Sequence, residues 1–120
     1  MSGTKIHTVS SGGFLSQNNR MCLIGSDAQQ IFENSYADVC FFSSQALSDD
    51  GIISDCTREE VVIRNSMLKN SNKRVFLCDS EKFFKKSAYK QCSLYDIDFL
   101  ISENNDAKKM YDKFSNLTII

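Results

Sequence analysis

The sequence predicts an α/β domain on a mainly parallel sheet, and three observations carry that prediction. Short apolar runs recur along the chain, each too short for a helix and largely apolar on both alternating faces, as in strands covered on both sides. Amphipathic segments with helical spacing lie between several of them. Alternation of the two is the pattern of parallel strands joined by helical crossovers.

The predicted strands are Ile6–Val9, Met21–Ile24, Val39–Phe42, Val75–Cys78, Phe99–Ile101 and Leu117–Ile120. The first predicted helix covers Asp27–Ser35, capped by Ser26 or Asp27, with Ala28, Ile31, Phe32 and Ser35 on one face. The second covers Arg58–Asn70. Thr57 and Glu60 have the spacing of a capping box, and Asn70-Ser71-Asn72 supplies a stop. Ile63 and Met67 form one stripe of this helix, while Val61 and Leu68 lie on nearly the opposite side. Two stripes mean either cover on both sides, by the sheet and by a partner subunit, or two lone exposed apolar residues. The third helix covers Asn105–Phe114, with Ala107, Met110, Tyr111 and Phe114 facing inward.

The 120 residues make one domain, and 42% hydrophobic with 24% charged residues is ordinary globular composition. A formal charge of −1 removes the bulk electrostatic case for a free-standing nucleic-acid binder. No apolar run is long enough to span a membrane and no signal peptide is visible, so a cytoplasmic domain without a membrane partner is expected. The five cysteines, Cys22, Cys40, Cys56, Cys78 and Cys92, contain no C-x-x-C pair and read as reduced thiols packed as small hydrophobes. With His7 as the sole histidine, neither a metal site nor a cofactor is expected. His7 falls in a strand run and reads as a strand residue rather than a general base, and no phosphate-loop or nucleophile-elbow motif is present, so no catalytic residue is assigned.

Ligands of open parallel sheets bind beyond the carboxyl ends of the strands. The residues there are Ser10-Ser11-Gly12-Gly13, Ser43-Ser44-Gln45, Asp79-Ser80-Glu81-Lys82 and Ser102-Glu103-Asn104. All are polar and rich in hydroxyls and backbone donors, which suits a polyhydroxylated or phosphorylated small molecule. Residues 58–90 hold nine Lys and Arg against four acids, a local basic excess that attracts an anionic ligand or acidic partner. Lys82 lies in that stretch, just past an apolar strand.

Five segments, taken in order, resemble a known family. They are Asp38-Val-Cys-Phe-Phe-Ser-Ser-Gln-Ala-Leu47 with Asp50-Gly51-Ile52, Glu59-Glu60-Val-Val-Ile-Arg64-Asn-Ser-Met67, Val75-Phe-Leu-Cys-Asp79-Ser80-Glu81-Lys82-Phe83, Asp96-Ile-Asp-Phe-Leu-Ile-Ser102, and upstream Ser11-Gly12-Gly13 with Leu23-Ile24-Gly25-Ser26. Together they resemble the C-terminal sensor domain of DeoR-family transcriptional regulators over residues 6–120. The resemblance implies a Rossmann-like fold related to ribose-5-phosphate isomerase, a phosphorylated-sugar effector, and DNA binding only through a helix-turn-helix domain that this chain lacks. It implies a ligand site at Ser44, Gln45, Glu60, Arg64, Asp79 and Lys82, to which the strand-end reading adds Ser43. Ser44, Gln45 and Ala46 match the family's A-D-G loop, Glu60 and Arg64 its helix glutamate and lysine, and Asp79 and Lys82 its D-x-S-K pair. Gln45 stands where the family has an acid, and Ala46 where it has glycine. The first portion of the sensor, with its G-T-T turn, is also missing, so the chain reads as a single partial sensor domain over residues 1–120.

The leading reading is therefore an effector-sensing and oligomerisation module, not an enzyme. Homo-oligomers are expected because a shortened sheet leaves open edges. The alternatives are an isomerase-like enzyme on the same fold, or a remnant that associates without ligand.

Overall fold

The structure is a computed structural model of the chain and describes residues 14–15, 23–24 and 26–120. The predicted strand Ile6–Val9, with His7, Gly12-Gly13 and Cys22, lies outside the described residues.

The chain runs through β1 (Phe14–Leu15), β2 (Leu23–Ile24), α1 (Ser26–Glu33), β3 (Ala37–Phe42), β4 (Ala46–Leu47), β5 (Ile52–Asp55) and α2 (Arg58–Lys69). It continues through β6 (Ser71–Leu77), β7 (Tyr89–Ser93), β8 (Phe99–Ile101), α3 (Asn105–Lys109) and β9 (Thr118–Ile119). Strands β3, β6, β8 and β9 form the main sheet in that spatial order, all parallel. The predicted runs at Val39, Val75, Phe99 and Leu117 are its four strands. Their register stacks Phe42 beside Phe76 and Phe76 beside Leu100, and the rings of Phe42 and Phe76 sit 5.1 Å apart.

A second sheet was not legible in the sequence. β4, β5 and β7 pair antiparallel in the order β4–β5–β7. The turn from β4 to β5 passes through Gly51 at φ 85°, a left-handed conformation that glycine adopts without cost. Its amide donates to Ser48 O, and its carbonyl accepts from Leu94 N. The two sheets share one core. Phe42, Phe76 and Leu100 meet Leu47 and Ile53, and Leu94, Ile97, Tyr111 and Phe114 close it. Tyr111 is fully buried, and its hydroxyl donates to Ser48 O at 2.9 Å. Burial pushes that phenol's pKa up from the ordinary value.

Four expectations need correction. Leu23–Ile24 is not a strand of the main sheet: β2 pairs antiparallel with β1. Thr57 precedes α2 in extended conformation but makes no capping bond; its hydroxyl donates instead to the Glu60 carboxylate, so the expected box is replaced by a side-chain pair. Val61, Ile63 and Leu68 are all buried within the chain, because α2 packs against β3 and β6 of one sheet and β5 and β7 of the other. The second stripe therefore needs no partner subunit. Helix α3 stops at Lys109 and continues as turns to Phe114, which buries Tyr111 and Phe114 but leaves Met110 exposed.

The described cysteines are free thiols, with Cys40 and Cys78 buried. Burial pushes Cys78 and Cys92 up to about 12. Among the described residues no helix is long and apolar enough to cross a membrane.

Candidate functional site

Parallel alignment brings the carboxyl ends of β3, β6 and β8 to one edge of the main sheet. Past β3 come Ser43, Ser44 and Gln45. Past β6, Asp79 caps a 3-10 turn over Ser80–Lys82, its side chain accepting from Glu81 N at 3.1 Å. Past β8 come Ser102 and Glu103. Side chains stitch these loops together. Lys82 Nζ donates to Gln45 Oε1 at 3.4 Å, joining the β3 and β6 loops. Ser80 N donates to Glu103 Oε1 at 2.7 Å, joining the β6 and β8 loops, and the Ser80 hydroxyl donates to the same oxygen. The Ser80 hydroxyl is the main cause holding the Glu103 carboxyl below its ordinary pKa.

Ser44 turns the other way. Its hydroxyl donates to Ser54 O at 2.7 Å, with Asp55 Oδ2 at 3.2 Å. Asp55 ends β5 and is 1% exposed. Arg64, projecting from α2, reaches it with Nη1 at 2.6 Å, while Nη2 lies 3.8 Å from Glu60 Oε1. Gln91 of β7 accepts from Arg64 at 3.3 Å and donates to Val61 O and Asn65 Oδ1. The Cys56 amide donates to Asp55 Oδ1 at 2.6 Å. This is a buried polar network tying β5, α2 and β7 to the loop after β3, and a guanidinium facing buried carboxyls with further hydrogen bonds is the arrangement such burial requires.

The seven residues read from the sequence thus fall into two groups. Ser43, Gln45, Asp79 and Lys82 stand at the strand ends. Glu60 and Arg64 lie in the buried network, and Ser44 joins that network from the loop. Adjacent residues of one loop, Ser44 and Gln45, link the groups. The sequence reading missed Asp55 and Gln91. Asp55 closes a stretch rich in Ser and Asp, residues 48–55, and Gln91 lies 27 residues from the arginine it meets. No local pattern marks such a contact; the one available signal was an acid just ahead of the helix.

Asp55, Cys56 and Glu60 each present one ligand atom within 4.8 Å of the others. Both Asp55 oxygens already have partners, Oδ2 the Arg64 guanidinium and Oδ1 the Cys56 amide. Desolvation, with the Asp55 hydrogen bond next, holds the Cys56 thiol above its ordinary pKa, which disfavours the thiolate that binds metals. The trio is better suited to holding the arginine than to holding a metal.

The main sheet is a parallel α/β sheet with hydroxyl, amide and ammonium groups gathered at its strand ends, the edge at which open α/β sheets take their ligands. Residues 1–104 match the family model described as the DeoR C terminal sensor domain, and the chain belongs to that family. It is 29% identical over 111 residues to the HTH-type transcriptional regulator GolR of Listeria innocua serovar 6a. That match covers 92% of this chain and 43% of GolR, so the chain spans less than half the length of that relative.

Proposed function

We propose that this chain senses a phosphorylated sugar at the carboxyl ends of β3, β6 and β8, as the effector domain of a transcriptional regulator. One observation carries the reading. Lys82 is only part-buried and reaches a neutral amide oxygen, Gln45 Oε1; no ion pair joins it to a carboxylate among the described residues. An ammonium held there is available to an anionic oxygen of a ligand. Gln45 and the exposed Ser43 supply hydrogen-bonding groups for sugar hydroxyls, and the serine-rich loops supply backbone donors. Asp79 acts in this reading by shaping the Lys82 turn. Ser44, Asp55, Arg64 and Glu60 act by holding the β3 loop rather than by touching ligand.

The name of GolR, an HTH-type transcriptional regulator, supports a regulatory role, with DNA contacted in this reading through a helix-turn-helix domain. Self-association belongs to the same reading. Large apolar side chains exposed at Tyr95 and Met110 support it, and a purely monomeric profile in sedimentation velocity at high micromolar concentration would remove it.

Thermal unfolding against matched phosphorylated and free sugars tests the binding. A ligand at about 100 times its dissociation constant adds about 2.7 kcal/mol, a rise of roughly 10 °C in Tm for a domain of this size. The expected result is a rise with one sugar phosphate, none with its free sugar, no turnover, and loss of the rise in Lys82→Ala. Turnover of a sugar phosphate would instead establish the isomerase reading.

A further inference from the structure

We infer that two copies of this chain pair through the outer face of the main sheet, the face turned away from the core, with their strands running in opposite directions. The inference rests on the self-association reading above and gives that association its surface.

Alternation along the strands defines the face. Cys40, Phe42, Phe76 and Leu100 point into the core. Val39, Phe41, Val75, Leu77, Phe99 and Ile101 therefore point the other way, and none of them belongs to the core cluster. The register sets them in rows across the sheet. Phe41 lies beside Val75 and Val75 beside Phe99; one step toward the carboxyl ends, Leu77 lies beside Ile101. Ile119 packs toward the core beside Leu100, so Ile120 extends the row of Ile101. Val75 in the middle is buried, but Phe41 is 60%, Ile120 56%, Val39 42% and Leu77 40% exposed. Among the described residues, α2 packs by Met67 and Leu68, and α3 by Ala107, against the core on the opposite face.

All-parallel sheets occur with both faces covered. Counting an aromatic side chain at about 200 Å² and an aliphatic one at somewhat less, the face exposes roughly 400 Å² of apolar surface. A patch of that size marks an interaction surface on a soluble protein. Two copies laid face to face remove about 800 Å² from these side chains. With about 65% of an interface between like copies apolar, the whole contact comes to about 1,200 Å², where specific interfaces begin.

Charge selects a second copy as the occupant, and its direction. Among the strand residues of this face Lys73 is the one charged group, beside Val39 at the amino end. The carboxyl end is rimmed by the exposed acids Asp79, Glu81 and Glu103 against the half-buried Lys82. A face basic at one end and acidic at the other complements itself when one copy is reversed. A two-fold axis along the Phe41–Val75–Phe99 row brings each Lys73 toward the acidic end of the other copy and sets each Phe41 against its counterpart, a self-complementary contact. Copies aligned in the same direction would set lysine against lysine and acid against acid, which such contacts avoid.

Sedimentation velocity on the 120-residue chain from about 1 to about 500 μM tests this. The expected result is a dimer with a dissociation constant of roughly 10–100 μM, the weak end for so small an interface. Phe41→Asp should weaken it by about a hundredfold, while Tyr95→Asp, away from this face, leaves it unchanged. Lys73→Glu should weaken it by about tenfold, and adding Glu81→Lys should recover part of the loss. A chain monomeric at the highest concentration would overturn the face and the self-association reading together. A dimer that Phe41→Asp leaves intact would overturn the face alone, with self-association standing through another surface. A dimer lost in Phe41→Asp but indifferent to Lys73→Glu would overturn the reversed direction. Should circular dichroism show Phe41→Asp unfolded, NOEs between differently labelled copies of the unmodified chain decide: contacts from the Phe41 ring to the other copy support the face, and their absence in the dimer overturns it.

Discussion

Replacing Arg64 with methionine should destabilise the domain severely. Arg64 Nη1 lies 2.6 Å from Asp55 Oδ2, and Asp55 is 1% exposed. Methionine keeps much of the apolar stem and removes the charge. Asp55 would then keep the Cys56 amide and the Ser44 hydroxyl but lose its ion pair. Stranding one member of a buried ion pair costs about 3–5 kcal/mol, a large part of the 5–15 kcal/mol that typically holds a domain together. With a urea m-value of about 2 kcal/mol/M the unfolding midpoint should fall by about 2 M, read by circular dichroism. Asp55→Asn combined with Arg64→Met should recover part of the loss, because the stranded carboxyl is gone. A loss in Arg64→Met below about 1 kcal/mol would be the value of an exposed pair, and would refute the claim that this network holds the β3 loop.

Lys82→Ala should do the reverse, leaving the urea midpoint nearly unchanged while abolishing ligand-induced stabilisation; its contact with Gln45 is long and part-exposed, and a clear drop in midpoint would make Lys82 structural. Gly51→Ala should cost about 1–3 kcal/mol in thermal unfolding, because a Cβ there would overlap the Phe114 ring and alanine is strained at φ 85°; an unchanged Tm would show that the ring swings aside. Cys78 and Cys92 should resist thiol reagents at pH 8 while the exposed Cys56 labels first among the described cysteines, as peptide mapping can establish. The same thiols set an alkaline limit. Unfolded, they release protons near 9.0; folded, they hold them to about 12. The native state therefore binds more protons in that window, and stability should fall as pH rises from about 9 toward 12, with no contribution from them at neutral pH. Flat stability across that range would show that the buried thiols ionise as freely folded as unfolded.

Local patterns in the sequence were enough for the parallel sheet, helix α2 and the polar strand ends. Runs such as Val75–Cys78 and Phe99–Ile101 are apolar on both faces, and a strand buried on both sides is the structure that uses them. The sequence also marked Lys82 and Gln45, since residues just past such strands must lie at one edge. The tertiary structure alone decided the antiparallel sheet. β4 has two residues, β5 mixes Ile52-Ile53 with Ser54-Asp55, and β7 reads Tyr-Lys-Gln-Cys-Ser. None carries a periodic signal, and β7 is separated from its partner β5 by more than thirty residues. That sheet divided the candidate site. By laying β5 and β7 against α2 it buried Glu60 and Arg64 with Asp55 and Gln91, and left Gln45 and Lys82 at the surface. Local spacing records which side chains share a strand or a helix face. Which carboxyl meets which guanidinium depends on packing between distant segments, and no local pattern encodes that.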